Sequence, residues 1–154
     1  MAQLKSDAEA MMTVDGAKPF ELDAWIDTAP FEDLLGISIE SATAGRAVLN
    51  LPFRVKLSQG GGMLHGGALT TLADTAVAMA IKSLLPEGTV FATTELSVQF
   101  VAPVQQGLVR AVAEVTGPVG RSFTGSAELF DLNGKTVGHF SSTFRVARGQ
   151  GFAD

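Results

Sequence analysis

Cysteine is missing from the sequence, which removes disulfides, thiolate metal ligands and cysteine nucleophiles together and leaves His65 and His139 as the imidazole ligands. A zinc site of the His/Cys kind is excluded, and no metal is expected. Charge is scarce as well: charged residues make up 18% of the 154 residues and hydrophobic ones 46%. That is too little charge for a disordered chain and enough apolar surface for a core. A basic excess is also lacking. With Lys+Arg 11 against Asp+Glu 16 and a net charge of -5, the surface does not attract phosphate backbones over long range, so no nucleic-acid partner is expected. The N-terminal MAQLKSDAEAMM places Lys5, Asp7 and Glu9 where a secretory signal needs an apolar run, which predicts a cytoplasmic protein. The length suits one domain.

Residues 1–18 show no lasting apolar period and predict a frayed tail or an extra N-terminal turn, flexible or helical, with residues 19–154 as the single domain. From Pro19 to Leu35 the apolar positions fit short helical pieces broken near Pro30, with Gly36 as a stop. Alternation over Gly36–Ala44 and Arg46–Phe53 around Ala44-Gly45 predicts a β-hairpin. A glycine-rich stretch, GGGMLHGG, then runs into ALTTLADTAVAMAIKSLL, which predicts one long helix. Asp74 at its centre and Lys82 near its end make a buried helix of a soluble domain the better reading than a membrane span. Four strand-like runs follow, Val90–Val101, Gly107–Thr116, Ser122–Asp131 and Thr136–Val146, separated by Pro103, Gly117-Pro118 and Asn133-Gly134. A hairpin, a central helix and an antiparallel meander define an α+β class.

On that helix, Asp74 shares a face with Gly67, Thr70, Thr71, Val77, Ala78 and Ile81, while Leu69, Leu72, Ala73, Ala76, Met79 and Ala80 form the apolar side. A carboxylate set there is desolvated, which raises its pKa and strengthens it as a base or nucleophile. Alternatively it only hydrogen-bonds Thr70, Thr71 or a backbone donor at a subunit contact. Gly66-Gly67 stand at the helix entrance, where the first N–H groups lack intrahelical acceptors and the dipole is positive, a place that stabilises an oxyanion or merely permits close packing. Gly66 and Asp74 are eight residues apart, about 12 Å along a helix, too far to act on one carbonyl. If both act on one substrate, one of them comes from a second chain across a two-fold axis.

His65-Gly66-Gly67, with Asp74 nine residues after the histidine and TTELSVQFVAP at 93–103, resembles the hotdog-fold acyl-CoA thioesterases of the PaaI type. The likeness runs from Gly36 to Arg148 and includes the order of elements. It implies a hotdog fold, an antiparallel sheet wrapped around one long helix, in homodimers that pair as homotetramers. It further implies Asp74 as the carboxylate that attacks the thioester or activates a water. Gly66 is implied as the oxyanion donor from the opposing subunit, Gln59 as an amide near the thioester, and Thr93 as a residue that places the water. His65 is implied to hold its loop together with Gly67 near the substrate, and Gly120-Arg121-Ser122 to hold CoA phosphates. Read from their charge alone, Arg54, Lys56, Arg145 and Arg148 are candidates for a local basic rim. Met63, Leu64, Val77 and Ile81 are expected to line an acyl pocket. Ala78 departs from members with a hydroxyl there, so that water contact is absent.

The implied reaction is hydrolysis of a medium-chain, long-chain or aryl acyl-CoA to free acid and CoA, with no cofactor beyond the CoA of the substrate. A second reading is a non-catalytic acyl-CoA binding or regulatory protein of the same fold, for which a buried Asp74 has no use. A hydratase of the fold would need His65 and Asp74 paired across subunits.

Overall fold

The computed structural model describes residues 1–12 and 16–154. In chain order the elements are β1 (Gln3–Leu4), β2 (Phe20–Glu21), α1 (Pro30–Leu35), β3 (Ser38–Thr43), β4 (Arg46–Pro52), a 3-10 turn (Val55–Leu57), α2 (Gly66–Lys82), β5 (Phe91–Phe100), β6 (Leu108–Val119), β7 (Ser122–Phe130) and β8 (Thr136–Val146). β3 to β8 form a six-stranded antiparallel sheet in the order β3-β4-β6-β7-β8-β5, and α2 contacts every strand of it. The expected α+β plan of one long helix held against an antiparallel sheet is therefore observed.

The helix lies close to the sheet because small residues meet there. Ala47, Ala111 and Ala113 of the sheet and Ala73, Ala76 and Ala80 of α2 are all 0% exposed, with Ala47 opposite Ala113 and Leu49 opposite Ala111 in the ladder. Gly125 completes the approach. A Cβ at that position would lie 2.2 Å from Val77 Cγ1, inside any permissible contact. The β3–β4 turn has positive φ at both Ala44 (50°) and Gly45 (78°), the geometry whose twist matches the flanking strands.

Several local expectations change in the fold. Gln3–Leu4 pair with Phe20–Glu21 where a frayed or turn-forming tail and a helical piece are expected, and residues 13–15 of that tail lie outside the described residues. Pro30 starts α1 instead of breaking a helix, since a first-turn proline lacks only an N–H that has no intrahelical partner, and Glu32 accepts from the Ala29 N–H at 3.1 Å. β6 runs on through Gly117-Pro118 to Val119, with the ladder shifted between Thr116 and Val119 because a proline cannot donate to it. Val77 and Ile81, expected on the open face and in a pocket, are 0% exposed. A helix in contact with all six strands buries more than half of its circumference. The stripe left open is Gly66, Gly67, Thr70, Thr71, Asp74, Ala78 and Lys82.

At its far end α2 is fixed to the N-terminal segment: Lys82 Nζ donates to the Trp25 carbonyl at 2.9 Å and lies 4.6 Å from the centre of the Trp25 ring, while Trp25 Nε1 donates to the Lys82 carbonyl at 3.0 Å.

Gly125→Ala is expected to destabilise the fold by about 1–3 kcal/mol through overpacking, read as a lower denaturation midpoint. Combining it with Val77→Ala, which removes the opposing methyls, should recover part of that loss; strictly additive losses would show that the two sites do not meet.

Candidate active site

Asp74 sits at the middle of the open stripe of α2, beside edge strand β5. The Thr93 hydroxyl donates to its carboxylate, 2.9 Å from Oδ1 and 3.1 Å from Oδ2. A register shift between Thr93 and Glu95 sits in the strand at this point, a common way for a sheet edge to re-aim a side chain. Burial pushes the Asp74 carboxyl above its ordinary value, the Thr93 hydrogen bond pulls it back, and the Glu32 carboxylate raises it again. Desolvation wins because one hydroxyl does not replace the water lost from a carboxylate. Thr70 and Thr71 do not satisfy this carboxylate. Their hydroxyls donate one turn back, to the Gly66 carbonyl at 2.8 Å and the Gly67 carbonyl at 2.9 Å.

The start of α2 has a different chemistry. His65 is the N-cap, and its Nδ1 accepts from the Gly67 N–H at 2.8 Å, which requires Nδ1 to be unprotonated. The Ala68 N–H and Leu69 N–H both reach the His65 carbonyl, at 2.9 and 3.3 Å. Among the described residues, the Gly66 N–H is the first-turn donor left without a partner, at the positive end of the helix. Gln59 stands in the preceding loop, held by its N–H to the Met63 carbonyl at 2.7 Å. Its side-chain oxygen accepts from the Gly61 N–H, so the side-chain amide keeps its N–H donors free. Gly66 and Gln59 share the wall of one cavity of about 350 Å³ with Met63, Leu64 and Phe100.

These two groups lie at opposite ends of β5 in one chain. Phe100 packs on Gly66, where an added Cβ would meet its ring at 3.0 Å, and Thr93, seven residues earlier in the same strand, holds Asp74. Gly66 and Asp74 belong to one uninterrupted helix, so their separation of about 12 Å stands. Arg121, in the turn between β6 and β7, is 9% exposed. Its guanidinium donates to Asp154 Oδ1 at 2.6 Å and to the Val146 carbonyl at 2.8 Å. Ser122 opens β7 opposite Val119. Arg54 precedes the 3-10 turn and Lys56 lies within it, while Arg145 is the penultimate residue of β8 and Arg148 lies just beyond its end, so the four basic residues form two groups in the chain. His139 pairs with Glu128 at 3.0 Å on the face of the sheet turned away from α2.

Two participants escape the sequence reading. Glu32 reaches α2 from α1, accepting from the Thr75 hydroxyl at 3.2 Å, and has no motif around it. Phe100 stands inside TTELSVQFVAP, and its one sequence signal is an aromatic at the end of an edge strand.

A carboxyl raised by burial favours folding when protonated, a contribution present at low pH and lost as pH rises through the folded-state value. Asp74→Asn is therefore expected to melt higher than the parent near neutral pH, with the difference vanishing below the ordinary carboxylate range; equal melting at all pH values would show that Asp74 carries no such cost.

Residues 61–138 match the family described as the Thioesterase superfamily. Over 82% of this chain and 91% of its own length, a provisionally named esterase of Halobacterium salinarum is 31% identical. The 1,4-dihydroxy-2-naphthoyl-CoA hydrolase of Listeria monocytogenes is 39% identical over 54% of this chain and 68% of its own. Among solved structures, the E. coli PaaI protein from the phenylacetic acid degradation operon superposes with a TM-score of 0.72 at 27% identity, covering 80% of this chain and 88% of that one. The matched segment holds Gly66, Asp74 and Thr93 together, on a helix and sheet arranged as in the hotdog proteins, and the chain accordingly belongs to the thioesterase superfamily.

Proposed function

We propose that the protein hydrolyses the thioester of an acyl-CoA carrying a medium-chain, long-chain or aryl group, releasing the free acid and CoA. The observation that carries this reading is the Asp74 carboxylate, partly buried, oriented by Thr93 and open on the side facing away from the sheet. The Gly66 N–H and the Gln59 amide polarise the thioester oxygen, and the dipole of α2 adds to the stabilisation of the oxyanion. Asp74 supplies the attack, directly or through a water that it deprotonates. Thr93 acts by fixing the carboxylate, since its one proton is directed there.

The donors and the carboxylate must come from different chains. β5 is a ten-residue edge strand with Leu96 and Phe100 exposed by 42% and 54%, and such an edge invites pairing. Antiparallel pairing of two β5 strands about a two-fold axis sets the Phe100 end of one beside the Thr93 end of the other. Gly66 of one chain then faces Asp74 of its partner. Two equivalent sites result in a homodimer, the minimum unit, and dimers are expected to pair as homotetramers. At the CoA end, Arg121 already holds Asp154, so contact of Arg121 and Ser122 with a CoA phosphate exchanges one anion for another.

Thiol release from a panel of acyl-CoA esters tests the reaction. Asp74→Ala should lower kcat by about 10²–10⁴-fold, the range for loss of a general base, with the assembly size unchanged; retained turnover in a pure variant would remove Asp74 from the mechanism. The rate of the parent should rise with pH through a value above the ordinary carboxylate range.

Gly66→Pro tests the divided site. Proline is tolerated at a first helical position, and His65 at φ -62°, ψ 134° already has the backbone it needs before it. The variant removes the orphan N–H but also sets a Cβ 3.0 Å from the Phe100 ring, so Gly66→Ala, which adds the Cβ and keeps the N–H, is its control; the loss beyond that control should be about 10²–10³-fold in kcat. Co-refolding Gly66→Pro with Asp74→Ala chains should restore about a quarter of the parent activity, because half the dimers are mixed and each contains one intact site. No recovery would place both groups in one chain's site.

A further inference from the structure

α2 carries three threonines, and one of them departs from the other two. Thr70 and Thr71 donate to the carbonyls one turn back, at 2.8 and 2.9 Å, the common outlet for a hydroxyl within a helix. Thr75, at 5% exposure the most buried of the three, donates out of the helix instead, to Glu32 Oε1 at 3.2 Å. The second oxygen of Glu32 accepts from the Ala29 N–H at 3.1 Å, the backbone group that a glutamate at the third position of a helix is placed to reach. One carboxylate thus joins the start of α1 to the middle of α2, and a donor on each oxygen fixes where its charge sits.

The residue tied in this way is the neighbour of Asp74 in the helix. Thr93 on β5 and Glu32 on α1 therefore flank that carboxylate from two sides, and they act in opposite senses. Burial is the main reason the Asp74 carboxyl is raised; the Thr93 hydroxyl opposes it by donating to the charged form, and the Glu32 carboxylate adds to it as a like charge. The other charges nearby are engaged elsewhere. Lys82, two turns along α2 and also within the field of Glu32, spends its ammonium on the Trp25 carbonyl and ring. Asp33 of α1 accepts from the Thr28 hydroxyl and the Ala2 N–H. Glu95 of β5 stands in register with Thr143, and Thr143 with Thr124, on the face of the sheet turned away from α2. In the proposed dimer the second chain brings the Gly66 N–H and the Gln59 amide, which do not titrate, with the N-cap His65 beside them.

We propose that Glu32 is a positioning residue of the active site, its clamped carboxylate standing beside Asp74 as a fixed negative charge that sets the pH range over which the site works. The proposal rests on the thioester-hydrolase reading above and adds to it a second carboxylate, one that touches neither the substrate nor the reacting atoms. Its effect depends on being held. A glutamate free to swing into water would be screened from Asp74, whereas one fixed by Thr75 keeps its charge against the protein, where screening is weaker. Glu32 lies outside the matched segment 61–138, so the base belongs to the shared segment and its adjustment to the helix that precedes it.

Glu32→Gln removes the charge and keeps both contacts, because an amide oxygen accepts from the Ala29 N–H and the Thr75 hydroxyl then accepts from the amide nitrogen. Two readouts test it. One is the titration of Asp74 itself, followed by NMR in protein labelled with 13C at the aspartate side-chain carboxyl and identified by the signal lost in Asp74→Asn. The other is the pH profile of kcat/KM for thiol release from octanoyl-CoA and benzoyl-CoA. In Glu32→Gln the Asp74 midpoint and the acid limb of the profile should both move to lower pH, with the plateau rate falling by less than about 10²-fold, the smallest loss expected when a general base itself is removed. Thr75→Val leaves the charge but unties it from α2 and should move both the same way by less; should Glu32→Gln not fold, Thr75→Val carries the test. An Asp74 midpoint unchanged in the folded variant, or one that moves while the acid limb stays in place, would overturn the proposal and leave the hydrolase reading standing. A midpoint that moves in a protein whose parent releases thiol from neither ester would overturn the hydrolase reading, and the role given to Glu32 with it.

Discussion

The contact between α2 and the sheet governs where everything else can be. Alanines on both surfaces and the bare backbone at Gly125 let the helix sit against β4, β6 and β7, with Val77 filling the space that a side chain at 125 would occupy. Dispersion contacts and apolar burial act over the whole length of that seam. The consequence is rotational. Once Val77 and Ile81 are taken into the core, Gly66, Gly67, Thr70, Thr71, Asp74, Ala78 and Lys82 are the residues of α2 left outside it, and the one carboxylate in the middle of the helix points at the edge strand instead of at bulk water.

Placement on that stripe gives Asp74 its chemistry. A carboxylate deep in the core would lose its charge and one on an open surface would have an ordinary pKa, whereas Asp74 lies between and has one hydroxyl partner. Burial raises its proton affinity and Thr93 moderates the rise, leaving an oriented base. At the other end of the stripe the N-cap works by subtraction. His65 uses its Nδ1 on Gly67 and its carbonyl on the next two donors, and what is left over is the single N–H of Gly66. One helix thus carries both a half-buried carboxylate and a free N–H donor, about 12 Å apart along its axis and too far from each other to meet within the chain.

The family match has physical content because its residues coincide with this division. The matched segment 61–138 starts just before the N-cap and ends within β8, so it contains the donor, the carboxylate and the edge strand between them, while Gln59 and α1 lie outside it. The shared segment therefore carries the main groups on which the proposed hydrolysis relies. The cavity wall draws on both sides of its boundary, and Glu32, which adds its charge to the environment of Asp74, comes from α1.

Much of this architecture is written locally. Alternation in β4, β6, β7 and β8, the Ala44-Gly45 and Asn133-Gly134 turns and the proline-free run of α2 predict their elements because each depends on neighbours in sequence, and the HGG motif with Asp74 marks both ends of the chemistry. The weaker readings fall where the partner is distant. Phe20–Glu21 lacks a helix because it pairs with Gln3–Leu4, and β6 outlasts Pro118 because β7 resumes the ladder beyond it. Helical periodicity puts Val77 on the same face as Asp74, and only the curvature of a sheet that touches α2 from six strands decides that Val77 is buried and Asp74 is not. Local pattern was enough for the α+β class and for the long helix that carries His65, Gly66 and Asp74. The tertiary structure alone decided which donor stays free, which hydroxyl holds the carboxylate and which ring bounds the cavity, since hydrogen-bond satisfaction and burial depend on every group packed nearby and not on spacing along the chain.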